Sequence, residues 1–107
     1  MEKDEKQKIL QELGGIGEDI YDELVGDFIA QADLQLRDLN QALSNGDLSA
    51  MQSLAHTIKG SSGNLRLYTI SAIAKDLEFL SKGNADKAKL NNLLEDLSAA
   101  LEKLKEK

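Results

Sequence analysis

The sequence predicts an all-α fold, an antiparallel up-down-up-down four-helix bundle with a short N-terminal capping helix. Proline is absent, and the aromatic residues are only two tyrosines and two phenylalanines, a composition that favours helices over strands. Apolar residues also recur at intervals of three and four, the period of an amphipathic helix. Four such segments joined by short turns bury their apolar faces most economically by packing antiparallel. We expect residues 1–107 to form one domain.

The N-terminal half of the chain predicts two helices. Residues 1–15 form the short capping segment, in which Ile9, Leu10 and Leu13 are apolar before the flexible sequence Gly14-Gly15-Ile16-Gly17. A longer helix is predicted over residues 18–44, and Asn45-Gly46-Asp47 is typical of a helix end followed by a new N-cap. The predicted core positions of the longer helix are Ile20, Leu24, Phe28, Ala32, Leu36, Leu39 and Leu43.

Three more helices are predicted in the C-terminal half. The first covers residues 48–64, and Thr69 is expected to cap the next, which ends at Gly83. Phe79 lies about 180° from Ile70 on that helix, and we expect it to contact the N-terminal segment rather than to form part of an exposed docking surface. The core positions of the last two helices are Ile70, Ile73, Ala74, Leu77 and Leu80, then Leu90, Leu93, Leu94, Leu97, Leu101 and Leu104.

The charge and composition argue against several classes of function. The formal net charge is -6, and no Lys/Arg cluster of the kind that binds nucleic acid is present. There is no cysteine, which removes disulfides and thiol chemistry. No signal peptide or apolar run of about 18 residues is found, so we expect a cytoplasmic protein without membrane insertion.

One segment needs an explanation beyond folding. His56 is the only histidine, and two glycines, Gly60 and Gly63, follow it within the same predicted helix. A glycine in a helix interior costs about 1 kcal/mol relative to alanine. The helical wheel places His56 about 140° from the apolar stripe, on the solvent side. Gln52, Lys59 and both glycines lie three, four or seven residues from His56 and therefore border the same side of the helix.

A lone histidine on a helix can have three roles. A histidine that only fills a surface position leaves the two glycines without a cause. A metal site lacks ligands, because Gln52 and Gly60 occupy the positions four residues before and after and the chain has no cysteine. The remaining interpretation is a nucleophile presented on a rigid helix, with side chains removed so that a second protein can approach.

The run Ala55-His56-Thr57-Ile58-Lys59-Gly60-Ser61-Ser62-Gly63-Asn64-Leu65, followed by Leu77-Glu78, resembles the signature of the histidine-containing phosphotransfer (HPt) domains of two-component phosphorelays. The resemblance extends from about Ile16 onward. It includes Phe28, Leu39, Ala42, Leu43, Gly46 and Asp47. The chain departs from the family pattern at Arg66, where the family usually has glycine.

The resemblance implies that His56 accepts a phosphoryl group from an aspartate of one response-regulator receiver domain and passes it to another. The expected partners are such receivers and a hybrid sensor histidine kinase, and Mg²⁺ would be supplied by the receiver. No ATP-binding motif is present, so we expect a phosphocarrier with no cofactor and no kinase activity of its own. We also expect it to be monomeric. The alternative is a structural helical adaptor or a degenerate HPt domain that binds such partners without phosphotransfer.

Within this interpretation the residues near His56 have separate roles. Lys59 would stabilise charge on the phosphoryl oxygens. Gly60 and Gly63 would provide steric clearance for the partner, and Gln52 is a possible orienting residue.

Overall fold

A computed structural model describes residues 2–83 and 86–106, and all regular secondary structure in these residues is helical. This confirms the predicted all-α class. No helix in the described ranges combines the length and apolar character that a membrane span requires. The helices are α1 (Lys3–Glu12), α2 (Glu18–Asn45), α3 (Leu48–Asn64), α4 (Tyr68–Ser81) and α5 (Lys87–Lys105).

Helices α2 to α5 form the bundle. α2 packs against α3 and α5, and α4 also packs against α3 and α5, so the four helices make a closed ring around one core. Leu39, Ile58, Leu77 and Leu97 are among the fully buried side chains at its centre. Burying an aliphatic side chain of this size contributes about 1.5 to 3 kcal/mol, so the ring of leucines and isoleucines accounts for much of the stability. α3 is thereby held between two neighbours.

The short helix α1 caps the bundle, as the sequence predicts. Ile9 and Leu10 are buried in a separate small cluster with Tyr21, close to Leu65 at the end of α3. The Tyr21 hydroxyl donates a 2.7 Å hydrogen bond to the Leu65 carbonyl, and burial raises the pKa of Tyr21 to about 12. α1 and the start of α2 therefore support the C-terminal end of α3.

The connection between α2 and α3 follows the predicted chemistry. Gly46 has a positive φ of 70° at the end of α2, a conformation that glycine adopts without steric cost. The Asp47 side chain accepts a hydrogen bond of 3.0 Å from the Ala50 amide and caps α3. α3 occupies the predicted residues, and α2 ends at Asn45, one residue beyond its predicted end.

The start of α4 differs from the prediction. Thr69 lies inside the first turn and is not the cap, because α4 begins at Tyr68 after the buried Leu67. The Leu67 amide donates to the Ser62 carbonyl at 2.9 Å, and this bond closes α3, so the cap of α4 lies two residues earlier than expected. At its other end α4 stops at Ser81, before the predicted Gly83.

Two predictions about burial are also wrong. Ile20 and Leu24 are exposed, while Tyr21 is buried, because α1 packs on the side of α2 that carries Tyr21. Phe79 is 73% exposed instead of contacting the N-terminal segment. α1 meets α4 near the start of α4, where the Tyr68 hydroxyl donates to Glu12 at 2.9 Å, and Phe79 lies about three turns further along.

Candidate functional site

The histidine lies on the outer side of α3. Met51, Ala55 and Ile58 point into the core with no exposed surface, and the phase of the helix therefore turns His56 outward. The His56 side chain is 68% exposed. Because the helix below the ring is fixed by core packing, the imidazole is presented to solvent from a rigid base.

A carboxylate from α4 anchors the ring. His56 Nδ1 lies 2.8 Å from Glu78 Oε2, and Lys59 Nζ donates to Glu78 Oε1 at 2.6 Å. The Glu78 side chain is only 10% exposed. The hydrogen bond from Lys59, together with the hydrogen bond to His56, lowers the pKa of Glu78 against the opposing effect of burial. Glu78 is thus an ionised, nearly buried acceptor shared by two side chains of α3.

This contact determines which nitrogen of His56 carries hydrogen. An ionised carboxylate can only accept hydrogen bonds, so Nδ1 must carry the hydrogen that Glu78 Oε2 receives. In the neutral ring the lone pair then lies on Nε2. A neutral imidazole with its lone pair on the exposed side can attack an electrophile without a separate base.

The two glycines have different surroundings. Gly60 is exposed, and a Cβ built there would meet nothing within 4 Å. Gly63 lies beside α4, where a Cβ would be 3.6 Å from Ser71 Oγ, an ordinary contact distance. Gly60 therefore leaves open space on the side of α3 that carries His56, and Gly63 lies at the junction of α3 and α4.

The structure brings some of the predicted residues together. Lys59 and His56 both contact the Glu78 carboxylate, so the Lys59 ammonium group is paired with Glu78 in this structure. Gln52 is half-buried one turn before His56, and among the described residues its side chain makes no hydrogen bond to the ring. Its orienting role remains a prediction.

Sequence reasoning did not identify Glu78 as a site residue, although Leu77-Glu78 was part of the motif. The available signal was a carboxylate placed directly after the core residue Leu77 on an amphipathic helix. Such a position is close to the buried face, where a charge needs a partner.

The end of α3 accommodates the departure from the family pattern. Arg66 adopts a positive φ of 61°, and its amide donates to the Gly63 carbonyl at 3.0 Å. This is the αL position of a Schellman motif, which glycine occupies at lowest cost. Arg66 also reaches two acceptors, with Nη1 3.0 Å from the Gly63 carbonyl and Nε 3.6 Å from Glu12. The arginine therefore preserves the turn that a glycine would make.

Comparison with curated proteins and with solved structures finds no significant match. The sequence model of the Hpt domain family matches residues 23–107, which include α3, α4 and the His56–Glu78–Lys59 group. Because this match covers most of the sequence, the chain belongs to the Hpt domain family.

Proposed function

We propose that this protein is a phosphorelay intermediate in which His56 accepts a phosphoryl group from a receiver aspartate and passes it to a second receiver. Hpt domains act in two-component signalling as phosphocarriers, and they interact with receiver domains and kinases. The observation that carries the proposal is the exposed imidazole whose Nδ1 is held by Glu78 at 2.8 Å. We propose further that the protein works as a monomer in the cytoplasm.

The transfer chemistry follows from the tautomer. Nε2 attacks the phosphorus of the aspartyl phosphate, the N–P bond forms, and the P–O bond breaks with its electrons leaving on the aspartate carboxylate. Nδ1 keeps its hydrogen and donates it to Glu78 throughout, so no proton has to move. In the delivery step a carboxylate oxygen of the second receiver's aspartate forms a new P–O bond, the N–P bond breaks with its electrons returning to Nε2, and the ring leaves as neutral imidazole. The same hydrogen bond thus serves acceptance and delivery, and Glu78 acts as a positioning residue.

Lys59 has a proposed role in the phosphorylated state. Its ammonium group lies on Glu78, next to the imidazole, and a phosphoryl group on Nε2 would introduce a competing anion close by. Charge-assisted contacts from lysine to phosphate are among the stronger hydrogen bonds. We expect Lys59 to contact the phosphoryl oxygens, and Mg²⁺ to be held by the receiver.

The decisive experiment is transfer from a radiolabelled, phosphorylated receiver to wild type and to His56→Gln. The wild type should acquire a label that is stable in alkali and labile in acid, as expected for phosphohistidine. His56→Gln should acquire none and should melt at nearly the same temperature, because the His56 side chain is exposed. Label on the variant would refute the assignment of His56. Receiver binding without any transfer would favour the adaptor alternative.

The role of Glu78 has a separate spectroscopic test. The ¹⁵N chemical shifts of the His56 ring report which nitrogen carries hydrogen, and in wild type we expect hydrogen on Nδ1. Glu78→Gln can offer either an oxygen or an NH₂ group, so the tautomer preference should weaken and the pH profile of transfer should change. Unchanged ring shifts in this variant would show that Glu78 does not position the imidazole.

A further inference from the structure

The interior of α2 contains a glycine that the fold does not require. Gly26 has an ordinary helical backbone, so no positive φ calls for glycine at this position. A Cβ built there would meet nothing within 4 Å, so no neighbouring helix packs against its backbone. Glycine in a helix interior is less stable than alanine. Gly26 therefore leaves open space on the surface of α2 at a cost in stability.

Gly26 lies in a groove bounded by three helices. The groove has a volume of about 450 Å³ and is lined by α1, α2 and the end of α5. Its α2 side consists of residues at the spacing i, i+3, i+4 and i+7, which share one face of a helix: Asp22, Val25, Gly26 and Ile29. They span about 10 Å along the helix axis. Leu104 of α5 lies half-buried across from them. The groove thus has an apolar floor with a glycine in it.

The charged groups around the groove are mostly acidic. Among the described residues, two lysines line it, and each is paired with two carboxylates at 2.6 to 3.0 Å: Lys6 with Glu18 and Asp22, and Lys105 with Asp33 and Glu102. Glu106 lines the groove as a fifth carboxylate. Five carboxylates against two ammonium groups leave a net negative rim. An anionic ligand would have to displace carboxylates from the lysines, whereas a cationic ligand meets negative charge that is not neutralised.

We propose that this groove, here called the Gly26 groove, binds a basic amphipathic helix of a partner protein. Such a helix lays its apolar face on Val25, Ile29 and Leu104. It approaches α2 closely at Gly26, because no side chain separates the two backbones there. Lysines or arginines beside its apolar face lie at the acidic rim. Nucleic acids and anionic membrane surfaces have the opposite charge and are not expected to bind in this groove.

The Gly26 groove is separate from the candidate site. α2 and α5 form one side of the ring of helices, and α3 and α4, which carry His56 and Glu78, form the opposite side. A helix bound in the groove therefore leaves the imidazole accessible, and both places can be occupied at once. The groove gives the protein a second contact that does not depend on phosphorylation.

The test uses a synthetic peptide as the probe. A leucine–lysine peptide with the amphipathic pattern, about five turns long, is titrated with wild type, Gly26→Gln and Gly60→Gln. Gly60→Gln is the matched control, because it adds the same side chain at an open glycine of α3. A scrambled peptide of the same composition and a peptide with glutamate in place of lysine are the controls for the probe. We expect wild type to bind the lysine peptide about tenfold or more tightly than either control peptide. Gly26→Gln should weaken this binding about tenfold, and Gly60→Gln less than about twofold.

Two double variants test the acidic rim. Asp22→Asn/Asp33→Asn removes two carboxylates that hold the lysines of the groove. Asp27→Asn/Asp38→Asn removes the same charge from exposed positions of α2 that do not line the groove. The first should lower the affinity for the lysine peptide and its salt dependence more than the second. Equal effects of the two would refute the role of the rim.

Other outcomes would overturn the Gly26 groove. One is equal affinity of wild type and Gly26→Gln for the lysine peptide, and another is no binding of that peptide to wild type. Equal binding of the scrambled peptide, or tighter binding of the glutamate peptide, would refute the chemistry of the partner. A dimer of the protein alone in sedimentation, dissociated by Gly26→Gln, would assign the groove to a second copy. Binding that depends on Gly26 in a protein that accepts no phosphoryl group at His56 would support the groove and refute only the proposed function.

Discussion

The clearest test of how His56 is presented compares two glycines in helix interiors. Gly60 lies on the side of α3 that carries His56, and Gly26 lies in α2, beside Leu104 and Lys105 of α5. A Cβ at either position would meet nothing within 4 Å. Replacing each glycine by alanine and by glutamine therefore changes helix propensity in the same way, while only the changes at Gly60 affect the space in front of the imidazole.

The expected change in folding stability follows from helix propensity. Alanine should stabilise the folded protein by about 1 kcal/mol at either position, and glutamine by somewhat less. For a chain of 107 residues, 1 kcal/mol corresponds to a rise of about 4 °C in melting temperature. All four variants should therefore melt higher than wild type.

The expected change in the rate of phosphoryl transfer differs between Gly60 and Gly26. Helical side chains lean toward the N-terminus, so a glutamine at position 60 extends toward His56, one turn earlier. Reacting atoms must approach within about 3 to 3.5 Å, and a displacement of about 1 Å can reduce the rate a hundredfold. We expect Gly60→Gln to slow receiver-to-His56 transfer by about that factor, Gly60→Ala to slow it less, and both Gly26 variants to match wild type.

The assays are thermal unfolding and single-turnover transfer from a phosphorylated receiver. Destabilisation by both Gly60 variants would contradict the open space seen around this glycine. A transfer rate for Gly60→Gln equal to that of Gly26→Gln would refute the argument that Gly60 provides clearance for a partner.

Three further predictions concern stability. Arg66→Gly should be more stable than Arg66→Ala by about 1 kcal/mol in chemical denaturation. Both variants lose the arginine contacts, but only glycine adopts the positive φ without steric strain. Equal stabilities would exclude a strained backbone at this position. Burial raises the pKa of Tyr21 in the folded protein to about 12, so its contribution to the unfolding free energy is complete below pH 10 and is lost as the pH rises toward 12. The unfolding free energy of Tyr21→Phe should therefore depend less on pH in the alkaline range than that of wild type. The lowered pKa of Glu78 has the opposite sign: its stabilisation is present above its ordinary value of 4.5 and is lost as the pH falls through the lowered folded value. Glu78→Gln should flatten the acidic profile, and Lys59→Ala, which removes the main cause of the shift, should flatten it partly; parallel acid profiles in all three proteins would contradict the role of this pair.

Local features of the sequence were sufficient for most of the secondary structure. The bounds of α3, the αL glycine at position 46 and the cap at Asp47 depend on residues within a turn of one another, and all three agree with the structure. The outward direction of His56 follows from the apolar stripe of its own helix in the same way. These features are set by short-range periodicity and hydrogen bonding, which can be inferred without a partner helix.

Tertiary packing decided the features that join different helices. Glu78 lies 22 residues after His56, and only the register of α4 against α3 brings its carboxylate to both Nδ1 and Lys59. The burial of Tyr21 in place of its neighbour Ile20 depends on where α1 packs. A helical period gives the angle between residues on one helix, but it does not give the rotation and register of one helix against another. The sequence by itself therefore determined the all-α class and the outward direction of His56, and only the tertiary structure decided which carboxylate holds the imidazole.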